Sequence, residues 1–142
     1  MNDPPQILTI YTDGAYSSAT EQGGIGIVVV KDGNAIQTFN KGFKNTTNNQ
    51  MELLAVIASL NAINKHYDEV CIYTDSMYVI GCATKGWKRK KNQSLWKKYD
   101  ETYSQALQFC ENISFCHVKG HEDDTFNNMA DKLAVEARSL VL

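Results

Sequence analysis

No apolar stretch in the 142-residue chain approaches the roughly 20 residues that a membrane-spanning helix requires, so no membrane partner is expected. The opening Met1-Asn2-Asp3-Pro4-Pro5 does not read as a secretion signal. C-x-x-C spacing is absent. The four cysteines, Cys71, Cys82, Cys110 and Cys116, fall inside apparent strands and helices and read as buried free thiols, which suits a reducing, cytoplasmic location. A net charge of −2 supplies no overall attraction to nucleic acid. Long repeats, low-complexity tracts and linkers are lacking too, so residues 1–142 are expected to form one domain with its own core.

What is present is a short echo. Ile-Tyr-Thr-Asp occurs at Ile10 to Asp13 and again at Ile72 to Asp75, each time closing an apolar run and followed by Gly14 or Ser76. Both copies read as strands that end in a carboxylate, with Tyr11 and Asp13 on one face and Tyr73 and Asp75 likewise. Laid parallel and side by side, they bring both aspartates to one edge of a sheet. The basic residues are also unevenly spread. Half of the 14 lie between Lys85 and Lys98 with no acid among them, interleaved with Trp87 and Trp96. A solvated face explains such a run, and so does a surface for a nucleic-acid backbone.

In chain order, the pattern predicts a strand over 7–12, a polar turn over 14–22, and a strand over 25–31. Asp32-Gly33-Asn34 is a hairpin signal, and a third strand spans about 35–43 with Ile36, Thr38 and Phe43 alternating against polar neighbours. A helix begins near Asn48, where Thr47 and Gln50 match a capping box, and is apolar nearly all round from Met51 to Ile63. A strand over 70–74 follows, then a short helix capped by Ser76 and ended by Gly81. Leu95, Tyr99, Tyr103, Ala106 and Cys110 mark a helix from Ser94 to about Cys110, and 113–118 is a fifth strand. The last helix covers about 127–138. Three antiparallel strands, further parallel strands and flanking helices make an α/β fold with a five-stranded mixed sheet.

Four acids stand out in this frame. Asp13 and Asp75 end strands, Glu52 lies in the first turn of an apolar helix, and Asp131 lies in the first turns of the last helix. Singly, each has an ordinary reading as a turn residue or as an acid favoured by a helix start. Jointly, they lie where helix starts and parallel strand ends meet at one rim of the sheet. Carboxylates without cysteine or paired histidine suit a hard divalent ion, Mg²⁺ first and Mn²⁺ as a substitute. Two such ions about 3.5–4 Å apart activate water and stabilise a leaving oxygen in phosphodiester cleavage.

The chain resembles type 1 ribonuclease H over nearly its whole length. The resemblance rests on Tyr-Thr-Asp-Gly-Ala at 11–15, Gly-Gly-Ile-Gly at 23–26 and Thr-Thr-Asn-Asn-Gln-Met-Glu-Leu at 46–53. Tyr-Thr-Asp-Ser-Met-Tyr-Val at 73–79, Val-Lys-Gly-His at 118–121 and Asn-Asn-Met-Ala-Asp-Lys-Leu-Ala at 127–134 complete it. It implies a ribonuclease H-like fold and cleavage of the RNA strand of RNA–DNA hybrids, with two ions and 5′-phosphate and 3′-hydroxyl products. It implies Asp13, Glu52, Asp75 and Asp131 as metal-binding catalytic residues and His121 as an aid to proton transfer or product release. Asn48 and Asn49 are the expected 2′-hydroxyl contacts, Thr47 a DNA-phosphate contact, and Gly14 and Trp87 further substrate contacts.

The chain departs from the family in having Ala19 where many members carry an asparagine and in a short segment between Gly81 and Leu95, and no separate hybrid-binding domain is expected. Affinity is therefore expected to lean on few phosphate contacts and to fall only moderately with salt. The expected partner is the hybrid alone, bound by a monomer. Two rival readings are a transposase- or integrase-like core, which lacks an acid on the first helix, and a non-catalytic hybrid-binding module, which usually loses a carboxylate.

Overall fold

A computed structural model describes residues 4–118 and 125–141. Its described residues form one five-stranded mixed sheet flanked by four helices. β1 (Ile7–Ser17), β2 (Gln22–Lys31) and β3 (Asn34–Phe43) form an antiparallel meander. Asp32 and Gly33 both take positive φ, 51° and 78°, which matches the twist of the two-residue turn between β2 and β3. α1 (Asn48–Asn61) then leads to β4 (Tyr67–Thr74), which pairs parallel with β1 through Tyr11 opposite Tyr73. α2 (Met77–Thr84) and α3 (Gln93–Ala106) precede β5 (Cys110–His117), parallel to β4, and α4 (Thr125–Ser139) follows. The strand order is β3-β2-β1-β4-β5.

Alternation along β1 sends Leu8 and Ile10 to one face, where they meet Val56 and Leu60 of α1, Ile72 of β4 and Trp96 of α3 in the main core. The opposite face carries Val28 and Val30 under Ala130 of α4. α4 lies close because the strands beneath it are bare. A Cβ on Gly24 would sit 2.2 Å from the Ala134 carbonyl oxygen, and one on Gly26 would sit 2.4 Å from that of Ala130. Glycines in β2 thus set the height of α4 above the sheet.

β1 does not end at Asp13, as the strand echo suggests, but runs on to Ser17 against Gln22. β4 stops at Thr74, because Ser76 turns the chain by accepting the Val79 amide at 3.2 Å and starting α2. Asp13 therefore sits inside a strand whose neighbour has already left. α2 also continues through Gly81 to Thr84. The glycine is needed where the Trp87 ring lies, since a Cβ there would come within 2.0 Å of it. α3 ends at Ala106 rather than near Cys110. The turn that follows keeps the Cys110 thiol buried, 3.3 Å from the Ala106 carbonyl, so the residue keeps the helical spacing while opening β5. Ile36 lies exposed on edge strand β3, not in a half-buried row.

The basic segment is not uniformly free. Arg89 donates to the Cys82 carbonyl at 3.2 Å and, through one nitrogen, to both Asp100 oxygens at 2.9 Å. Its guanidinium also lies 4.3 Å from the centre of the Trp96 ring. Lys88, Lys90 and Lys91 remain exposed. Arg89→Ala is expected to cost about 1–3 kcal/mol of stability through lost packing and hydrogen bonds, whereas Lys90→Ala stays within about 0.5 kcal/mol. Urea unfolding compares the two, and equal effects would contradict the structural role of Arg89.

Candidate active site

Asp13 stands where β1 outruns β4, and Asp75 immediately follows β4 on the other side of that step. Glu52 reaches the same place from the start of the second turn of α1, just beyond the first turn in which the sequence pattern puts it. The first turn is fixed by Thr47, whose hydroxyl accepts the Gln50 amide at 3.2 Å. Only half of the expected capping box forms, since the Gln50 side chain turns instead to Thr46 and Asn92. Gly14 brings β1 and α1 together: a Cβ there would lie 2.8 Å from Glu52 Oε1. Its amide donates at 2.9 Å both to Asp13 Oδ1 and to Glu52 Oε1.

Ligand atoms of Asp13, Glu52 and Asp75 lie within 4.8 Å of one another. Asp131, from the second turn of α4, meets Asp13 carboxyl to carboxyl, a hydrogen bond only while a proton lies between them. Glu52 and Asp75 form a second such contact. Glu52 is 5% exposed, and its Oε2 is enclosed with no donor directed at it.

Burial together with these contacts favours the protonated carboxyls. Burial, the contact with Asp131 and repulsion from Asp75 and Asp131 push the Asp13 carboxyl from 3.8 up to about 8, partly opposed by the Gly14 amide. Burial followed by repulsion from Asp75 pushes Glu52 from 4.5 up to about 10. An enclosed oxygen without a donor, among carboxylates that cannot all ionise, fits a hard divalent cation supplying the missing positive charge.

A cleft of about 350 Å³ opens beside the acids, lined by Gly14, Asn48, Asn49, Glu52, Asp75, Ser76, Met77 and Tyr78. Exposed Asn48 and Asn49 thus share the cleft with two of the carboxylates, and Thr47 lies exposed just before them. Ser76, Met77 and Tyr78 were not singled out by sequence as cleft residues, although the motif at 73–79 contains them. Trp87 is 48% exposed and packs on Gly81, outside this cleft. His121 lies outside the described residues. His117, which matches no motif, places a ring nitrogen 3.2 Å from the Asp75 carbonyl oxygen.

The gathered acids mark an α/β protein with a carboxylate-rich site at the edge of its mixed sheet. The ribonuclease H family model matches residues 5–139. Ribonuclease H of Rippkaea orientalis is 37% identical, over 96% of this chain and 88% of that protein. Ribonuclease HI of Synechocystis is 34% identical, over 96% and 91%. Among solved structures, RNase H1 from Halobacterium salinarum superposes with a TM-score of 0.74 at 28% identity, covering 92% of this chain and 96% of the other. LC11-RNase H1 in complex with RNA/DNA hybrid gives 0.76 at 25% identity, covering 93% and 96%. The chain belongs to the ribonuclease H family, and with it to the hydrolases.

Both folded pKa values lie above those of free carboxyl groups. The folded protein therefore keeps protons that the unfolded chain releases. The associated stability is complete below about pH 4 and is lost as pH rises through about 8 and then about 10. Glu52→Gln keeps an oxygen to accept the Gly14 amide and cannot ionise in either the folded or the unfolded chain. It should stabilise the chelator-treated protein by on the order of 1–3 kcal/mol, more at pH 9 than at pH 6. Denaturant unfolding at both pH values tests this; a variant no more stable than wild type contradicts it.

Proposed function

We propose that residues 1–142 act as a monomeric, cytoplasmic, single-domain endoribonuclease that hydrolyses the RNA strand of RNA–DNA hybrids to 5′-phosphate and 3′-hydroxyl ends. The observation that carries this reading is the crowding of Asp13, Glu52 and Asp75, with Asp131 against Asp13, beside the paired amides of Asn48 and Asn49. Support comes from the family and from the LC11-RNase H1 structure, which holds an RNA/DNA hybrid.

Two Mg²⁺ ions, with Mn²⁺ as a substitute, would supply a polarised water and neutralise charge at the scissile phosphate. Asp13, Glu52 and Asp75 would hold one and Asp13 with Asp131 the other. Sharing Asp13 accounts for its contacts with carboxylates on both sides. Glu52 shares the cleft with Asn48 and Asn49, which would read the 2′-hydroxyl. An amide side chain both donates and accepts, so this pair suits a hydroxyl that donates and accepts in turn. DNA lacks that group, so RNA is selected without reading bases. The Thr47 hydroxyl accepts the Gln50 amide and keeps its own hydrogen to donate to a phosphate of the DNA strand. His121 is assigned proton transfer or product release, Gly14 a close backbone approach to the substrate, and Trp87 a contact with it.

A transposase-like core fits less well because Glu52 is an acid on α1. Purified protein with Mg²⁺ should cut a labelled hybrid at low salt and leave duplex RNA and single-stranded RNA intact. Asp75→Asn should lower cleavage by at least about 10³-fold with the fold retained by circular dichroism. An uncut hybrid refutes the proposal, and hybrid bound without turnover favours a binding module instead.

A further inference from the structure

Asn92 occupies the cap position before α3, yet its side chain makes no cap hydrogen bond. It adopts φ 62°, in the left-handed region, which asparagine tolerates better than most residues. Its amide is used elsewhere. Oδ1 accepts from Gln50 Nε2 at 3.2 Å, and Nδ2 donates to the Tyr78 hydroxyl at 3.0 Å. Trp96 Nε1 donates to the same hydroxyl at 2.9 Å. At the other end, Gln50 Oε1 accepts from the Thr46 hydroxyl at 3.0 Å. One unbroken chain of hydrogen bonds therefore runs from the loop before α1, through Gln50 and Asn92, to α2 and α3.

We propose that Gln50 is a positioning residue: its side chain clasps Asn92 to the start of α1 and fixes the spacing between Asn48–Asn49 and the basic segment 85–91. The placement of Gln50 supports this, because it directly follows Asn49 in the same first helical turn. The segment 85–91 is otherwise tied to α2 and α3. The Lys85 and Trp87 amides donate to the Gly81 carbonyl, and Arg89 bonds the Cys82 carbonyl and Asp100. Asn92, next to Lys91, gives the segment its side-chain reference to α1. A side-chain cap would stabilise the start of α3. Asn92 forgoes it for two contacts between elements, which suits a site where relative placement matters. The clasp rests on the hybrid-binding reading above. A hybrid that reaches both surfaces at once needs them held in register. With the clasp broken, each half still binds and part of the joint affinity is lost.

Gln50→Met keeps the length of the side chain and removes its hydrogen bonds. Asn92→Gly removes the side chain while keeping the left-handed backbone, so it carries the test if Gln50→Met fails to fold. Each variant should raise KM and Kd for a long hybrid about 3- to 10-fold, with kcat within about twofold, because a uniform binding contact is lost. The double variant should be no worse than the poorer single one. A second hybrid is shortened until Lys90→Ala and Lys91→Ala no longer alter its cleavage. On that substrate both clasp variants should match wild type. Unchanged KM and Kd on the long hybrid, equal losses on both hybrids, or additive singles would each overturn the clasp. Wild type that binds hybrid without cutting it overturns the catalytic reading, and the clasp is then read from Kd by fluorescence anisotropy. Wild type that does not bind hybrid overturns both.

Discussion

Burial of carboxylates that also repel one another at a single sheet edge governs the rest of this molecule. Asp13 and Glu52 are the groups most strongly affected: burial raises both most, Asp75 repels both, and Asp131 adds to the effect at Asp13. Within the described protein, the Gly14 amide is the donor that faces both of them, and it leaves Glu52 Oε2 without one. Strain of this kind is kept only where surrounding packing overrules it. Here that packing is the main core on one face of the sheet and the α4 contact on the other.

Close backbone approach makes the crowding possible. Gly14 lets α1 rest against β1, and glycines of β2 let α4 descend until Asp131 reaches Asp13. The acids thus arrive from β1, α1, α4 and the turn after β4, and none has to extend far to meet the others. The cleft beside them inherits the same geometry, since Asn48 and Asn49 lie one turn before Glu52 on α1.

Much of this was legible in the amino-acid order. The five strands, the Asp32-Gly33 turn, the Ser76 cap and the apolar helix that carries Glu52 all rest on local chemistry, which a chain states directly. The juxtaposition of the acids followed from parallel pairing of the repeated strands. Less legible were features decided by partners distant in sequence. Gly81 reads as a helix stop, and only the Trp87 ring explains its place inside α2. Cys110 keeps helical spacing although it belongs to β5. Arg89 looks like one more phosphate ligand in a basic run, but Asp100 and Trp96 hold it inside the protein. Gln50 looks like half of a capping box and turns instead to Asn92.

If the edge is built for cations, ions entering it must displace the protons that crowding retains. Calorimetric titration of the apo protein with Mg²⁺ at pH 7, repeated in buffers of different ionisation enthalpy, counts those protons. With Asp13 and Glu52 raised to about 8 and about 10, binding should release about one to two protons per protein. Binding without proton release, or no Mg²⁺ binding at all, would contradict the account.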